Sequence, residues 1–322
     1  DGTIRGGAGR FATTLPGVVS AHNLASLSAE LTAWAPSLAT AGTEEARARA
    51  AGELAEKQER LKQTLALVKS SAGTDQAAQI EEVEKTVGFL DQRIALINRV
   101  VTSRLGYMTQ HHETVGKLAE DYVAFQALMK PAIDRAVTDL RQGNAQTGVA
   151  EAANALIAAG TAVNQAVGII SVAAQSPDNA ALDKSVAQFT QLNGVAMEEM
   201  AEAAKKFSIA ELQAATAKVL SHGIGTESLF SVRRNELRTL NTIGLALTQT
   251  RDAAAELASK VEMLVGAASS AAAAADKNAA GQTTTAQIVL VSITLLCLGI
   301  AAVIGFGLIG PHGSGKPPSY MA

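Results

Sequence analysis

Residues 80–129 read IEEVEKTVGFLDQRIALINRVVTSRLGYMTQHHETVGKLAEDYVAFQALM, and this stretch decides the fold class. Its apolar residues recur at alternating steps of three and four, the spacing that places side chains along one face of an α-helix. The stripe consists of Ile80, Val83, Val87, Leu90, Ile94, Ile97, Val101, Arg104, Met108, His111, Val115, Leu118, Tyr122, Phe125 and Met129. Two polar residues, Arg104 and His111, interrupt it. The pattern predicts one very long helix, of the kind found in elongated bundles.

The composition indicates an all-α protein whose helices pack through small side chains. Of the 322 residues, 64 are alanine and only 11 are aromatic, too few for an ordinary globular core of this size. Only Pro131 and Pro177 lie between Ser37 and Gly310, so long stretches lack the residue that most strongly breaks helices. A formal net charge of −3 carries no basic signature, and we expect no nucleic-acid partner.

Turn signals divide residues 11–287 into six helical segments. The boundaries fall at 42–45, 72–75, 143–144, 176–179 and 222–226, and the fourth would place Pro177 at a first helical position. The first segment carries a stripe of Leu24, Leu27, Leu31, Trp34 and Leu38. The last segment carries a stripe of Leu229, Arg233, Glu236, Leu240, Ile243, Leu247, Thr250, Ala254, Leu257, Val261, Leu264 and Ala268.

The unequal segment lengths predict two stacked four-helix bundles that share two long helices, because short loops make neighbouring helices antiparallel. One bundle would hold the first two segments with the start of the third and the end of the sixth. The other would hold the rest. The predicted domains are a flexible N-terminal segment 1–10, a two-bundle region 11–285, a transmembrane helix 286–310 and a disordered tail 311–322.

A membrane span is predicted near the C-terminus. Residues 288–309 read IVLVSITLLCLGIAAVIGFGLI, without a charge. At 1.5 Å rise per residue this segment would span roughly 33 Å, which matches a bilayer core. The single cysteine, Cys297, lies inside it and cannot form an intrachain disulfide.

Two further stretches carry a family resemblance. The sequence GTESLFSVRRNEL at 225–237 is similar to the opening of the last sensor helix in histidine kinases of the trimethylamine-N-oxide sensor type. The sequence LPGVVSAHNL at 15–24 resembles the start of their first sensor helix. The layout as a whole resembles the helical bimodular sensor domain of bacterial transmembrane receptors.

This resemblance implies the extracytoplasmic ligand-sensing region of an inner-membrane receptor, with the sensor domain in the periplasm. The output would be a two-component histidine kinase, although a methyl-accepting chemotaxis receptor uses the same kind of sensor domain. Its partners would be a small anionic ligand or a periplasmic binding protein, and the receptor would be a homodimer. A structural or pore-forming helical bundle is the alternative from another class.

No catalytic, metal or cofactor signature appears in the sequence. His111 and His112 are adjacent on a helix, about 100° apart, so both cannot face one metal ion. The kinase activity implied by the resemblance would belong to a module outside this chain.

The candidate ligand-binding residues are charged or titratable groups near the core stripes: Arg104, His111, Arg233, Glu236 and Arg251. Burying an unpaired charge costs several kcal/mol, so each of these needs a partner. One hypothesis is an anion pocket between helices, because guanidinium groups bind carboxylates bidentately. The other is internal: Arg233 pairs with Glu236, and Arg104 reaches the surface. An antiparallel register would bring Arg104 near Thr250 and Arg251.

Overall fold

The computed structural model describes residues 2–71, 76–141 and 148–278, and within these ranges the chain forms seven α-helices and no strand. The helices are α1 (Gly2–Ala39), α2 (Glu44–Ser71), α3 (Ala77–Arg141), α4 (Val149–Ala173), α5 (Asn179–Ala204), α6 (Ala210–Ser221) and α7 (Leu229–Asn278). The all-α prediction is therefore confirmed. The helix α1 begins at Gly2, so residues 2–10, predicted as a separate flexible segment, belong to it.

The chain divides into two compact units, and the division runs through the long helices α3 and α7. Of the described residues, the first unit contains 2–40, 48–71, 76–96 and 246–278, and the second contains 41–47, 97–141 and 148–245. These are the groups of segments that the lengths predicted. The helices α3 and α7 each have residues in both units, so each of them runs from one unit into the other.

The first unit has a core of leucine and β-branched side chains. The stripe residues Leu24, Leu31 and Leu90 are fully buried. Trp34, predicted to share this stripe, is 40% exposed, and Ala35 is buried in its place. The indole instead lies against solvent, with the ammonium of Lys57 5.7 Å from its ring centroid. An alanine in the core lets helices approach more closely than an indole would.

The second unit is built around α4, and seven of the 11 buried residues of that helix are alanine. Its buried positions include Leu156, Val163 and Ile170, separated by small residues. Phe125 of α3 is fully buried in the same core, and the Phe189 and Phe230 rings meet edge to face with centroids 5.2 Å apart. Small residues on α4 thus leave room for a few large side chains from its neighbours.

One predicted helix is two helices in the structure. The segment between residues 179 and 222 breaks at 205–209, giving α5 and α6, although residues 205–209 contain neither glycine nor proline. The break lets Phe207 pack against the core of the second unit and lets Ile209, 8% exposed, do the same. Positions two apart on a continuous helix lie about 200° apart, so an unbroken helix would place Phe207 and Ile209 on nearly opposite sides.

Two of the predicted boundaries show the caps that hold them. The Thr43 hydroxyl accepts the amide hydrogen of Ala46 at 3.2 Å, and the Asp178 carboxylate accepts that of Ala181 at 2.8 Å. Because Asp178 is the N-cap of α5, Pro177 precedes the cap and is not the first helical residue as predicted. The predicted boundary at 72–75 and the one at 143–144 lie outside the described residues.

The polar stretch of each long stripe is less buried than its ends. Met108 and Val115 on α3 are 45% and 40% exposed, and Leu240 on α7 is 42% exposed, against the prediction that they face the core. The apolar positions before and after them are buried, including Val101, Leu118 and Ile243. On α3 the loss of burial coincides with Arg104 and His111, which are half-buried, whereas Glu236 on α7 is itself buried.

The predicted transmembrane helix 286–310 and tail 311–322 lie outside the described residues. Among the described helices, α4 is the one long and apolar enough to cross a membrane by length and composition. Nine of its 11 buried residues belong to the core of the second unit, so packing within the protein accounts for its apolar character.

Candidate functional site: a polar network on α3 and α7

Three of the predicted site residues meet in the second unit. The Glu236 side chain, only 5% exposed, accepts a hydrogen bond from Arg233 Nη1 at 2.7 Å through Oε2. Its other oxygen, Oε1, lies 3.1 Å from Nδ1 of His111, whose side chain is 23% exposed. Arg233 and Glu236 are three apart on α7, and His111 lies on α3, so this carboxylate joins the two long helices.

Arg233 extends the network to the connection between α4 and α5. Its Nε and Nη2 atoms both donate to the carbonyl oxygen of Ser176, at 3.0 Å and 2.7 Å. Ser176 is 4% exposed and follows the end of α4. The Arg233 guanidinium therefore spans a buried carbonyl and a buried carboxylate, and three of its five N–H donors bind protein groups.

Arg233 and Glu236 pair with each other in this geometry, as the second of the two hypotheses from the sequence has it. One guanidinium and one carboxylate balance each other, and the half-buried imidazole lies beside the carboxylate. The arrangement can hold α3, α7 and the connection between α4 and α5 in one register. The reason is that loss of any partner would leave a polar group without its hydrogen bond. A change in helix packing at this point would have to rearrange all three.

Arg104 and Arg251 do not join this network. Arg104 is half-buried, and its Nη2 donates to the carbonyl oxygen of Ala41 at 2.5 Å, just after the end of α1. Arg251 is exposed and belongs to the first unit. Thr250 beside it is fully buried and donates to the carbonyl oxygen of Ala246 at 2.7 Å.

A second histidine–carboxylate pair, not found from the sequence, ties α3 to the end of α6. Asp121 accepts hydrogen bonds from His222 Nε2 at 2.8 Å and from Lys218 Nζ at 2.7 Å. Burial would raise the pKa of Asp121, but the hydrogen bonds from Lys218 and His222 outweigh it and hold this pKa below its ordinary value. The pair crosses 101 positions of sequence, and the only local signal was a histidine beside the Gly223 turn.

A cleft on the second unit was also missed. It lies between the start of α5 and α7, is open to solvent and has a volume of about 460 Å³. Its lining residues are Asn179, Asp183, Arg234, Arg238, Asn241, Thr242 and Leu245. Arg234 Nη2 lies 2.5 Å from Oδ1 of Asp183. The available signal was the spacing of Arg234, Arg238 and Asn241, which places them on one face of a helix next to Arg233.

No group of three or more His, Cys, Asp or Glu side chains that could hold a metal ion occurs in the part of the chain that the structure describes.

The fold matches two solved structures over nearly their whole length, although their sequence identity to this chain is low. One is the TorS sensor domain in complex with TorT in the presence of TMAO: 14% of residues are identical, the TM-score is 0.66, and the match covers 79% of this chain and 99% of that one. This chain shares the fold of the TorS sensor domain. The other is the V. parahaemolyticus histidine kinase sensor TorS sensor domain, also 14% identical, with a TM-score of 0.58 and coverage of 78% and 99%.

The resemblance seen in the sequence is thus confirmed at the level of fold. Both solved sensor domains are covered over nearly their whole length, so the match is not confined to one helical hairpin. Comparison with family models gave no match, and none of the curated proteins matches the sequence.

Proposed function

We propose that this chain is the extracytoplasmic ligand-sensing region of a bacterial transmembrane signalling receptor of the sensor histidine kinase type. The observation that carries the proposal is the match to the whole of two TorS sensor domains, one of them described as a histidine kinase sensor. Two long helices with residues in both compact units suit a sensor, because a packing change in one core can be passed along a continuous helix.

The proposed partner is a periplasmic binding protein that would contact the sensor region as a separate chain. The support is that the TorS sensor domain was solved together with TorT in the presence of TMAO. The sensor region would lie in the periplasm, and residues 288–309 would cross the inner membrane. A homodimer, expected from the family resemblance, would place two such spans side by side.

The proposed mechanism is a shift between two packings of the second unit. Binding of the partner or ligand would favour one arrangement of α3 against α7, and the network of His111, Arg233 and Glu236 would fix the register of each arrangement. A ligand can shift this equilibrium only by the difference between its affinities for the two packings. The helix α7, continuous from Leu229 to Asn278, would then carry the displacement toward the predicted span.

A chimeric receptor tests the proposal. Residues 1–310 are joined to the cytoplasmic module of a sensor histidine kinase that is active in vitro, and the chimera is reconstituted in vesicles. Autophosphorylation is then measured without a binding protein and with each of several periplasmic binding proteins, alone and with its own solute. At least one should change the rate severalfold, and a variant with Glu236→Gln should change less. A rate that no binding protein alters, together with leakage of a vesicle-trapped dye, would contradict sensing and favour a pore-forming bundle.

A further inference from the structure

The cleft between the start of α5 and α7 has the charge of a site for a small monoanion. Its ionised lining groups are Arg234, Arg238 and Asp183, which sum to one net positive charge. Asp183 pairs with Arg234, which satisfies that guanidinium from one side. Arg238, exposed and four residues further along the same face of α7, has no carboxylate partner among the described residues.

The remaining lining groups favour an organic acid that carries a hydrogen-bonding body. Asn179 and Asn241 offer amide donors and acceptors, and the Thr242 hydroxyl, which donates to the Arg238 carbonyl oxygen at 2.9 Å, still has lone pairs to accept with. Leu245, 60% exposed, supplies an apolar wall. A multiply charged anion such as phosphate would fit less well, because Asp183 would repel its second charge.

The position of the cleft connects it to the polar network already described. Arg234 follows Arg233 in sequence, so the cleft and the network lie on different faces of the same turn of α7. Asp183 stands on the first turns of α5, and Ser176, held by Arg233, precedes that helix. An anion that drew Arg234 and Arg238 toward α5 would therefore act on the same connection that Arg233 holds.

We propose that the cleft lined by Arg234, Arg238 and Asn241 of α7 and by Asn179 and Asp183 of α5 binds a small hydroxy monocarboxylate. Arg238 holds the carboxylate by charge-assisted hydrogen bonds, and Asp183 limits the site to a single negative charge. This inference rests on the proposed sensing function for its biological meaning, and it supplies a direct ligand site in addition to the protein partner.

Isothermal titration calorimetry on the full chain in detergent tests the site, with L-lactate as the probe and propionate and phosphate as comparisons. Lactate should bind saturably and more tightly than either comparison. Arg238→Gln should weaken lactate binding about tenfold or more, the usual effect of losing a charge-assisted contact. The matched control is Arg99→Gln, an exposed arginine of α3 in the same unit, which should leave the affinity unchanged.

A second variant moves the affinity in the opposite direction, which a folding defect would not do. Asp183→Asn removes the carboxylate that neutralises Arg234, so lactate should bind severalfold more tightly and phosphate should gain more than lactate. Absence of saturable lactate binding, equal affinity in Arg238→Gln, or weaker binding in Asp183→Asn would each overturn the inference. A negative calorimetric result would leave the response of the chimeric receptor to a binding protein intact, so the two proposals fail separately.

Discussion

The Glu236 carboxylate joins α3 and α7 in the second unit. It is nearly buried and serves Arg233 and His111 through different oxygens. Removing one partner of a buried ion pair costs more than the pair contributes, because the other charge is left without its counterpart.

We therefore predict that Glu236→Ala lowers the free energy of unfolding by about 2–3 kcal/mol, measured by urea denaturation. Lys130→Ala, which removes one half of an exposed pair with Asp134 on α3, should lower it by less than about 0.5 kcal/mol. The double variant Arg233→Met with Glu236→Leu should recover part of the loss. Equal effects of Glu236→Ala and Lys130→Ala would show that the network carries no special weight.

Asp121 gives a pH dependence whose sign is set by its lowered pKa. Since the folded-state pKa lies below the ordinary value of 3.8, ionised Asp121 stabilises the fold above that value, and this contribution is lost as the pH falls through the folded pKa. Asp121→Asn should thus lower the thermal midpoint at pH 7, and the gap to the wild type should narrow below about pH 4. A gap of constant size from pH 7 to pH 3 would contradict this role of Asp121, and Asp134→Asn serves as the exposed control.

The polar residues on the core stripes could be found from the sequence because helical periodicity marks an apolar position whatever occupies it. Their partners could be found only in part. The pairing of Arg233 with Glu236 is local, whereas His111 and Asp121 bind residues more than 100 positions away. The register between distant helices depends on how they pack. In a sequence rich in alanine, several registers have nearly equal packing free energies.

The turn between α6 and α7 is tightly packed at Gly223. A Cβ atom at Gly223 would lie 2.4 Å from Cζ of Phe189, and that ring is held in turn by Phe230. Gly223→Ala should therefore destabilise the second unit by about 1–3 kcal/mol, because the aromatic ring must move or the turn must open.

The matched control is Gly160→Ala on α4, where the new Cβ would meet the flexible end of Met129 at 2.9 Å. Its thermal midpoint should change little or rise, since alanine is the better helix former and the Met129 methyl can turn away. If both variants unfold at the same temperature, the packing of Phe189 against the turn is not what fixes this connection.

Helix boundaries were predictable where capping residues or glycine mark them, as at Thr43 and Asp178. The break between α5 and α6 was not, because it results from the packing of Phe207 and Ile209 on a core that only the folded chain creates. The exposure of Trp34 has a similar origin. Periodicity identifies which face of a helix is apolar but not which of two adjacent positions will meet a neighbour.

At the scale of the whole molecule, the lengths of the segments were sufficient to predict the division into two units. A short helix can contact only part of a long one, so the short segments sort themselves into two groups along the long ones. The membrane anchor is predicted from residues 288–309 by hydropathy alone.

Periplasmic location predicts the labelling of a single engineered cysteine. In a Cys297→Ala background, Thr161→Cys on the exposed face of α4 should react with a membrane-impermeant maleimide in cells whose outer membrane has been permeabilised. A second cysteine at Lys316 should react only after the inner membrane is opened. The reverse pattern, or labelling of both without opening the inner membrane, would contradict the proposed orientation.

Helix α7 is proposed to transmit a signal by its orientation, and insertions in the chimeric receptor test this central claim most directly. Leu264 is the last buried apolar residue of α7 among those whose burial the structure describes. One residue inserted beyond it, between Ser270 and Ala271, rotates the downstream part of the helix by about 100°, whereas seven residues complete nearly two turns. We predict that one inserted residue changes basal autophosphorylation severalfold and that seven restore it. A basal autophosphorylation rate that neither insertion changes, or one that changes in proportion to the inserted length, would contradict the claim.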